Sequence, residues 1–237
     1  MNAATPPVVV ARGLERRFGQ IVALRSVDFT VEAGEVVLLA GPNGAGKSTL
    51  LRCLAGLTRP SHGAVRIQNR QLRTDPAARS LVGFLSHQSL LYDDLTAQEN
   101  LRFAAQLHGL DGVEQRVRDA LDAAGLTQRA ATRAGALSHG TRQRLAIARA
   151  TLHAPALLLL DEPFSGLDAL GSELLRGSIG AAVAGRRAIV CVTHQPAEIW
   201  MLATRVVLLD RGAVVADTPR PPVLDEFLAG YRRLFAA

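Results

Sequence analysis

At 237 residues the chain is long for one domain, short for two, and able to bury a large core. Its 48% apolar content and mean hydropathy of +0.15 are too low for a polytopic membrane protein, and no run reaches the roughly 20 apolar residues that a membrane helix needs. The net charge of +6 suits an anionic ligand or an acidic membrane face. The basic residues are scattered without interleaved aromatics, so no nucleic-acid partner is expected. The opening MNAATPPVVV has neither a basic flank nor an apolar signal core, so no secretion signal is expected. Cys53 and Cys191 stand far apart in apolar contexts, which favours structural burial over metal binding and fits a reducing cytoplasm.

Along the chain, Val27, Phe29 and Val31 alternate with Ser26, Asp28, Thr30 and Glu32, a half-exposed strand. Ala33-Gly34 turns the chain. Val36–Ala40 is a continuous apolar run, as a strand covered on both faces requires. GPNGAGKST follows, and Leu50–Leu57 reads as a helix ending near Gly56 or Thr58. From Tyr92 to Ala136 helical periodicity takes over, with helices expected at Ala97–His108 and Val113–Ala124; this is an inserted helical lobe, about 90–140. Leu157–Leu160 and Ile189–Thr193 read as buried strands flanking a helix over Asp168–Ala184. Trp200, Met201 and Leu202 are expected as core residues of a helix after His194. Arg205–Asp210 and Ala213–Ala216 flank a hairpin turn at Arg211-Gly212. After Pro219–Pro222 a short helix, about 222–235, should carry Phe227, Tyr231 and Phe235. Strands alternating with helices imply an α/β fold, a mainly parallel sheet with helices on both sides.

Gly41–Thr49 matches G-x-x-x-x-G-K-[ST]. Glycines let the backbone wrap closely around phosphate, and the following helix adds the positive end of its dipole. The nucleotide-binding set expected here is Gly41, Pro42, Asn43, Gly44, Ala45, Gly46, Lys47, Ser48 and Thr49. Lys47, the only lysine in an arginine-rich chain, should reach the β- and γ-phosphates as a compact ammonium, and Ser48 should ligate Mg²⁺. LLLLDEP, Leu157–Pro163, puts two acids at the carboxyl end of a strand, where open α/β sheets bind ligands. Asp161 is expected in the Mg²⁺ shell and Glu162 as general base for the attacking water. ATP and Mg²⁺ are therefore the expected ligands.

LSHGTRQR, Leu137–Arg144, precedes an amphipathic helix just before Leu157, with Ser138 placed to cap it. Together with the phosphate loop and the acidic strand end, this resembles the signature of ABC ATPases. The resemblance runs from about Val8 to Ala216. It implies a P-loop NTPase (RecA-like) core with an N-terminal antiparallel β subdomain and an inserted α-helical subdomain, in one ABC ATPase domain spanning 1–237. It also implies a head-to-tail dimer, in which Ser138 and Gly140 of one copy touch the γ-phosphate held by the other. His139 and Thr141 depart from the family's glycine and glutamine at those places. In family order, Gln88 falls where a glutamine senses Mg²⁺ and nucleotide. Ser165–Asp168 lies where a loop meets the dimer seam, and His194 where a histidine contacts the γ-phosphate. Phe18 lies where an aromatic stacks on adenine.

The resemblance further implies integral membrane permease subunits as partners, met through Leu90, Leu91 and Tyr92, and a peripheral position on the cytoplasmic face of the inner membrane. An extra carboxyl-terminal regulatory domain, as in many importer ATPases, is not expected, which favours export. SHQSLLYDDLTAQENLRFAAQLHGL, FSGLDA and THQPAE are similar to the ATPase subunits of cytochrome c maturation (haem export) transporters. A soluble iron–sulfur assembly ATPase, or the ATPase of another exporter, is the alternative. His87, His108 and His153 are expected in solvent-facing or packing roles.

Overall fold

The computed structural model describes residues 6–86 and 89–235. Strands β1 (Val9–Phe18), β2 (Ile21–Val31) and β3 (Val36–Ala40) lead into helix α1 (Lys47–Leu54). Then come β4 (His62–Ile67), β5 (Arg70–Gln71), the one-turn α2 (Pro76–Arg79) and β6 (Val82–Leu85). Helices α3 (Ala97–Leu107), α4 (Val113–Ala123) and α5 (His139–Thr151) follow without an intervening strand. The chain closes with β7 (Leu157–Asp161), α6 (Ala169–Ala184), β8 (Ala188–Val192), α7 (Pro196–Ile199), β9 (Arg205–Asp210), β10 (Ala213–Pro219) and α8 (Leu224–Phe235). Among the described residues no helix is long and apolar enough to cross a membrane.

Two sheets result. One is antiparallel, in the order β2-β1-β4-β5; the other is β10-β9-β3-β8-β7-β6, parallel except for β10. Every residue of β7 and β8 is buried, which is why their sequences are apolar throughout and do not alternate. The pleat still sorts their side chains. Val37, Leu39, Leu157, Leu159 and Val190 face α1 and the antiparallel sheet; Val36, Leu38, Leu158, Leu160 and Ile189 face α5, α6 and α8. A third cluster joins α3 and α4 to α5 through Leu101, Val117, Leu121, Leu145 and Leu152. Helix α5 thus belongs to both the sheet layer and the helical lobe.

Arg205 ties the two sheets together. It pairs with Asp217 and Glu35 and donates to Thr30 O at 2.9 Å. The hairpin turn has positive φ at both Arg211 and Gly212, the primed turn that matches strand twist. Capping is explicit at α3, where Thr96 and Glu99 form a reciprocal box, and at α6, where Asp168 accepts from Gly171 N at 2.7 Å.

Two sequence expectations need correction. Met201 is 83% exposed, because α7 ends at Ile199, while Trp200 packs against Phe227 and Leu202 is half-buried against the same core. The helix after the phosphate loop ends at Leu54, earlier than expected, since Gly56 at φ +73 reverses the chain and Leu57 N bonds back to Arg52 O. Strands β1 and β4 to β6 carry no pattern that sequence alone reads as a strand. Both cysteines are buried, and burial pushes the Cys53 thiol up to about 11.

Candidate nucleotide site

The phosphate loop leaves the carboxyl end of β3 and enters α1 at Lys47. Two of its glycines are sterically obligatory. A Cβ on Gly41 would sit 2.1 Å from Leu209 O, and one on Gly46, at φ +104, would sit 2.5 Å from Ala23 O. The loop is therefore wedged between β9 and β2, and only bare backbone fits. Lys47 Nζ donates to Gly41 O at 2.7 Å and Pro42 O at 2.9 Å. Burial lowers its pKa, while the Glu162 and Asp161 carboxylates raise it. The ammonium is thus held by loop carbonyls near two acids.

A cavity of about 360 Å³ opens over this loop. It is lined by Asn43 to Thr49, by Asp161 and Glu162 at the end of β7, by Val192 at the end of β8 and His194 beyond it, and by Ile21 to Ala23 of the β1–β2 hairpin. Asp161 is buried. Glu162 has φ +54, a conformation that costs a non-glycine residue about 1–3 kcal/mol. That turn is held by Glu162 N donating to Val192 O at 2.8 Å. The carboxylate in turn accepts from His194 N at 3.0 Å and lies 3.4 Å from His194 Nε2. Glu162 and His194, 32 residues apart, form one unit because β7 and β8 are adjacent parallel strands ending at the same edge.

The donors fit a hard divalent cation. Ser48 and Asp161 supply only oxygens to one cavity, and a site with few protein ligands suits Mg²⁺, which keeps several waters. Gln88, the remaining expected ligand, and its neighbour His87 lie outside the described residues.

Other expected residues lie elsewhere. Phe18 is 46% exposed beyond the cavity lining, with the Arg16 guanidinium 4.2 Å over its ring. Ser138 caps α5, accepting from Thr141 N at 3.4 Å, and its Oγ is 2.8 Å from Thr141 Oγ1. Neither Ser138 nor Gly140 lines the cavity. His108 and His153 stack on each other, ring centroids 3.8 Å apart, in a packing role.

Three residues of α5 that sequence reasoning passed over organise the site from behind. Gln143, buried on the helix's inner face, donates to Pro163 O at 3.1 Å and Glu162 O at 3.4 Å. Arg142 pairs with Asp93 and donates to Ser89 Oγ at 3.1 Å, fastening the segment just after Gln88. Arg149 donates to Phe84 O at 3.2 Å in β6. The available signal was a glutamine three and four residues before the apolar Ala146 and Ile147, on the helix face that packs against the sheet, a polar group that needs internal partners.

A family model described as ABC transporter matches residues 24–165, more than half the chain. The chain is 38% identical over 211 residues to the cytochrome c biogenesis ATP-binding export protein CcmA of Bordetella bronchiseptica, covering 89% of this chain and 93% of that protein. It is 36% identical over 199 residues to the ABC transporter ATP-binding protein NatA of Bacillus subtilis, covering 82% and 81%. It is also 36% identical to the sulfate/thiosulfate import ATP-binding protein CysA of Mycobacterium tuberculosis, covering 95% of this chain and 68% of that one. Among solved structures, an ATP-binding subunit of an ABC transporter superposes with TM-score 0.85 at 32% identity, over 97% of this chain and 93% of that one. A dimeric ATP-binding cassette in a post-hydrolysis state with ADP and Pi superposes with TM-score 0.79 at 28% identity, over 91% of this chain and all of that one. A wedged phosphate loop facing two strand-end acids, and kinship over nearly the whole length, lead to one conclusion: the chain belongs to the ABC transporter family, as an ATP-binding and ATP-hydrolysing subunit.

Proposed function

We propose that two copies of this chain close head to tail on two ATP molecules and drive export through separate integral membrane subunits of the cytochrome c maturation (haem export) type. One observation carries the pairing. The cavity gathers the phosphate loop, Asp161, Glu162 and His194, yet the anion-binding start of α5, with Ser138 and Gly140, does not line it. A second copy can bring that helix start to the open side of the cavity. Near end-to-end similarity to an export ATPase supports the subtype.

In this reading Lys47 and the loop amides hold the β- and γ-phosphates, and Ser48, Asp161 and Gln88 hold Mg²⁺, which neutralises charge developing on the transferred phosphoryl group. Glu162 accepts the proton of the attacking water; His194, anchored to Glu162, orients the γ-phosphate. Phe18 stacks on the adenine after the Arg16 guanidinium yields its place. Exposed Leu90 and Tyr92, beside half-buried Leu91, form the docking face for a membrane subunit. In this reading the chain works at the cytoplasmic face of the inner membrane.

Glu162→Gln keeps the side-chain shape and removes the base. With ATP and Mg²⁺ it should shift from one copy to two in size-exclusion chromatography and turn over roughly 10²–10⁴-fold more slowly. A variant that stays monomeric with its membrane subunits present, or hydrolyses ATP at the normal rate, contradicts the reading. Membrane proteins that co-purify in detergent test the subtype: cytochrome c maturation factors support it, and a soluble iron–sulfur scaffold opposes it.

A further inference from the structure

His139 stands where the resemblance leads one to expect glycine, and its ring is packed onto the loop that follows Glu162. A Cβ built on Gly166 would lie 2.0 Å from His139 Cδ2 and 2.5 Å from Nε2, so the imidazole already fills the space over that glycine. From the same turn of α5, a Cβ on Gly140 would come within 2.7 Å of Gly166 O. The start of α5 and the middle of the 162–168 segment are in direct contact at two successive residues.

That segment is fixed along its whole length. Glu162 N donates to Val192 O at 2.8 Å, and Ser165 N returns to Glu162 O at 3.2 Å. Leu167 N donates to Phe164 O at 3.2 Å, and Asp168 caps α6. One turn further into α5, Gln143 grips Glu162 O and Pro163 O. With glycine at 139 the clamp would keep its Gln143 end and lose the imidazole over Gly166. The Ser165–Leu167 turn could then shift toward the space the ring occupies. Glu162, held at a strained φ of +54, is three residues upstream of that turn.

We propose that His139 is a positioning residue for hydrolysis: its ring wedges the 162–168 loop in place and so holds the Glu162 carboxylate against His194. The inference rests on the reading of Glu162 as general base. It makes the unusual residue of the signature part of the catalytic support, separate from any contact Ser138 and Gly140 make with nucleotide. The wedge acts by shape, since the contact is through ring carbon as much as nitrogen.

The test compares His139→Gly, His139→Phe and Glu162→Gln in the full chain with its co-purified membrane subunits, by steady-state ATPase kinetics and thermal unfolding. His139→Gly should lower kcat roughly 3–30-fold, because a misplaced reacting group is costly. KM for ATP should stay within about twofold, since the Lys47 loop is untouched, and Tm should hold because His139 is exposed on its other side. His139→Phe, a ring without titratable nitrogens, should recover most of the loss. Normal kcat in His139→Gly overturns the proposal. So does a His139→Phe variant as slow as His139→Gly, which would assign the effect to the ring nitrogens, or a loss that appears in KM or Tm instead. Normal turnover in Glu162→Gln would instead overturn the base assignment, so the two failures are distinguishable.

Discussion

Acid should loosen the junction between the helical lobe and the sheet through His153. The residue follows α5; its Nε2 lies 3.2 Å from Val82 O at the start of β6, and its ring stacks on His108 at the end of α3. Nδ1 is buried without a hydrogen-bond partner. A proton there would create a buried donor with no acceptor. Burial foremost, then the neighbouring His108, Arg149 and Arg187 charges, hold the His153 pKa down to about 4, against 6.5 for a free histidine. Between these values the unfolded chain binds the proton and the folded chain does not. Stability is therefore fully present above about pH 6.5 and falls as pH drops toward 4, below which this group adds no further loss. At about 1.4 kcal/mol per pH unit, moving from pH 7 to pH 5 costs up to about 2 kcal/mol, and about 1–2 after discounting for residual solvent contact. Urea unfolding of wild type and His153→Gln at both pH values isolates this group, because carboxylate contributions common to both proteins cancel in the double difference. Wild type should lose about 1–2 kcal/mol more than the variant over that interval. Equal losses in the two proteins would refute the reasoning.

Lys47→Arg should bind ATP at least about tenfold more weakly by equilibrium titration, because the planar guanidinium cannot occupy the narrow gap between the loop carbonyls and the phosphate; wild-type affinity would show that charge alone suffices. Gly46→Ala brings a methyl within 2.5 Å of Ala23 O at an unfavourable φ, so a destabilisation of about 3 kcal/mol or more is expected in chemical unfolding. Arg205→Met should cost about 1.5–3 kcal/mol by the same measurement, since Glu35 and Asp217 lose their charged partner in the half-buried brace between the sheets. A change near zero in either variant would remove the steric or bracing role assigned to that residue.

Local rules in the sequence were enough to find the chemistry. A phosphate loop must be glycine-rich and must end in lysine and a hydroxyl, so Gly41–Thr49 announces itself in any context. A strand buried on both faces must be apolar, so Val36–Ala40 and the run before Asp161 could be read directly, and the Arg211-Gly212 hairpin follows from backbone geometry. Ser138 and Asp168 were legible as helix starts for the same reason: their side chains bond within three residues. Strand order, partner choice and side-chain reach were not legible, because they depend on which segments are neighbours in space. Only the adjacency of β7 and β8 brings Glu162 to His194, and only the packing of α5 under both strand-end loops gives Gln143 and Arg142 their partners. Met201 fell on the wrong side of that divide: an apolar residue beside Trp200 looks like core until α7 stops at Ile199 and leaves it in solvent. His139 is the same case in reverse, a departure from pattern in the sequence that becomes a contact once α5 lies against Gly166. Composition and short-range geometry thus determined what this protein binds, while the adjacency of two strands and the packing of one helix against their ends decided how Glu162 and His194 are held.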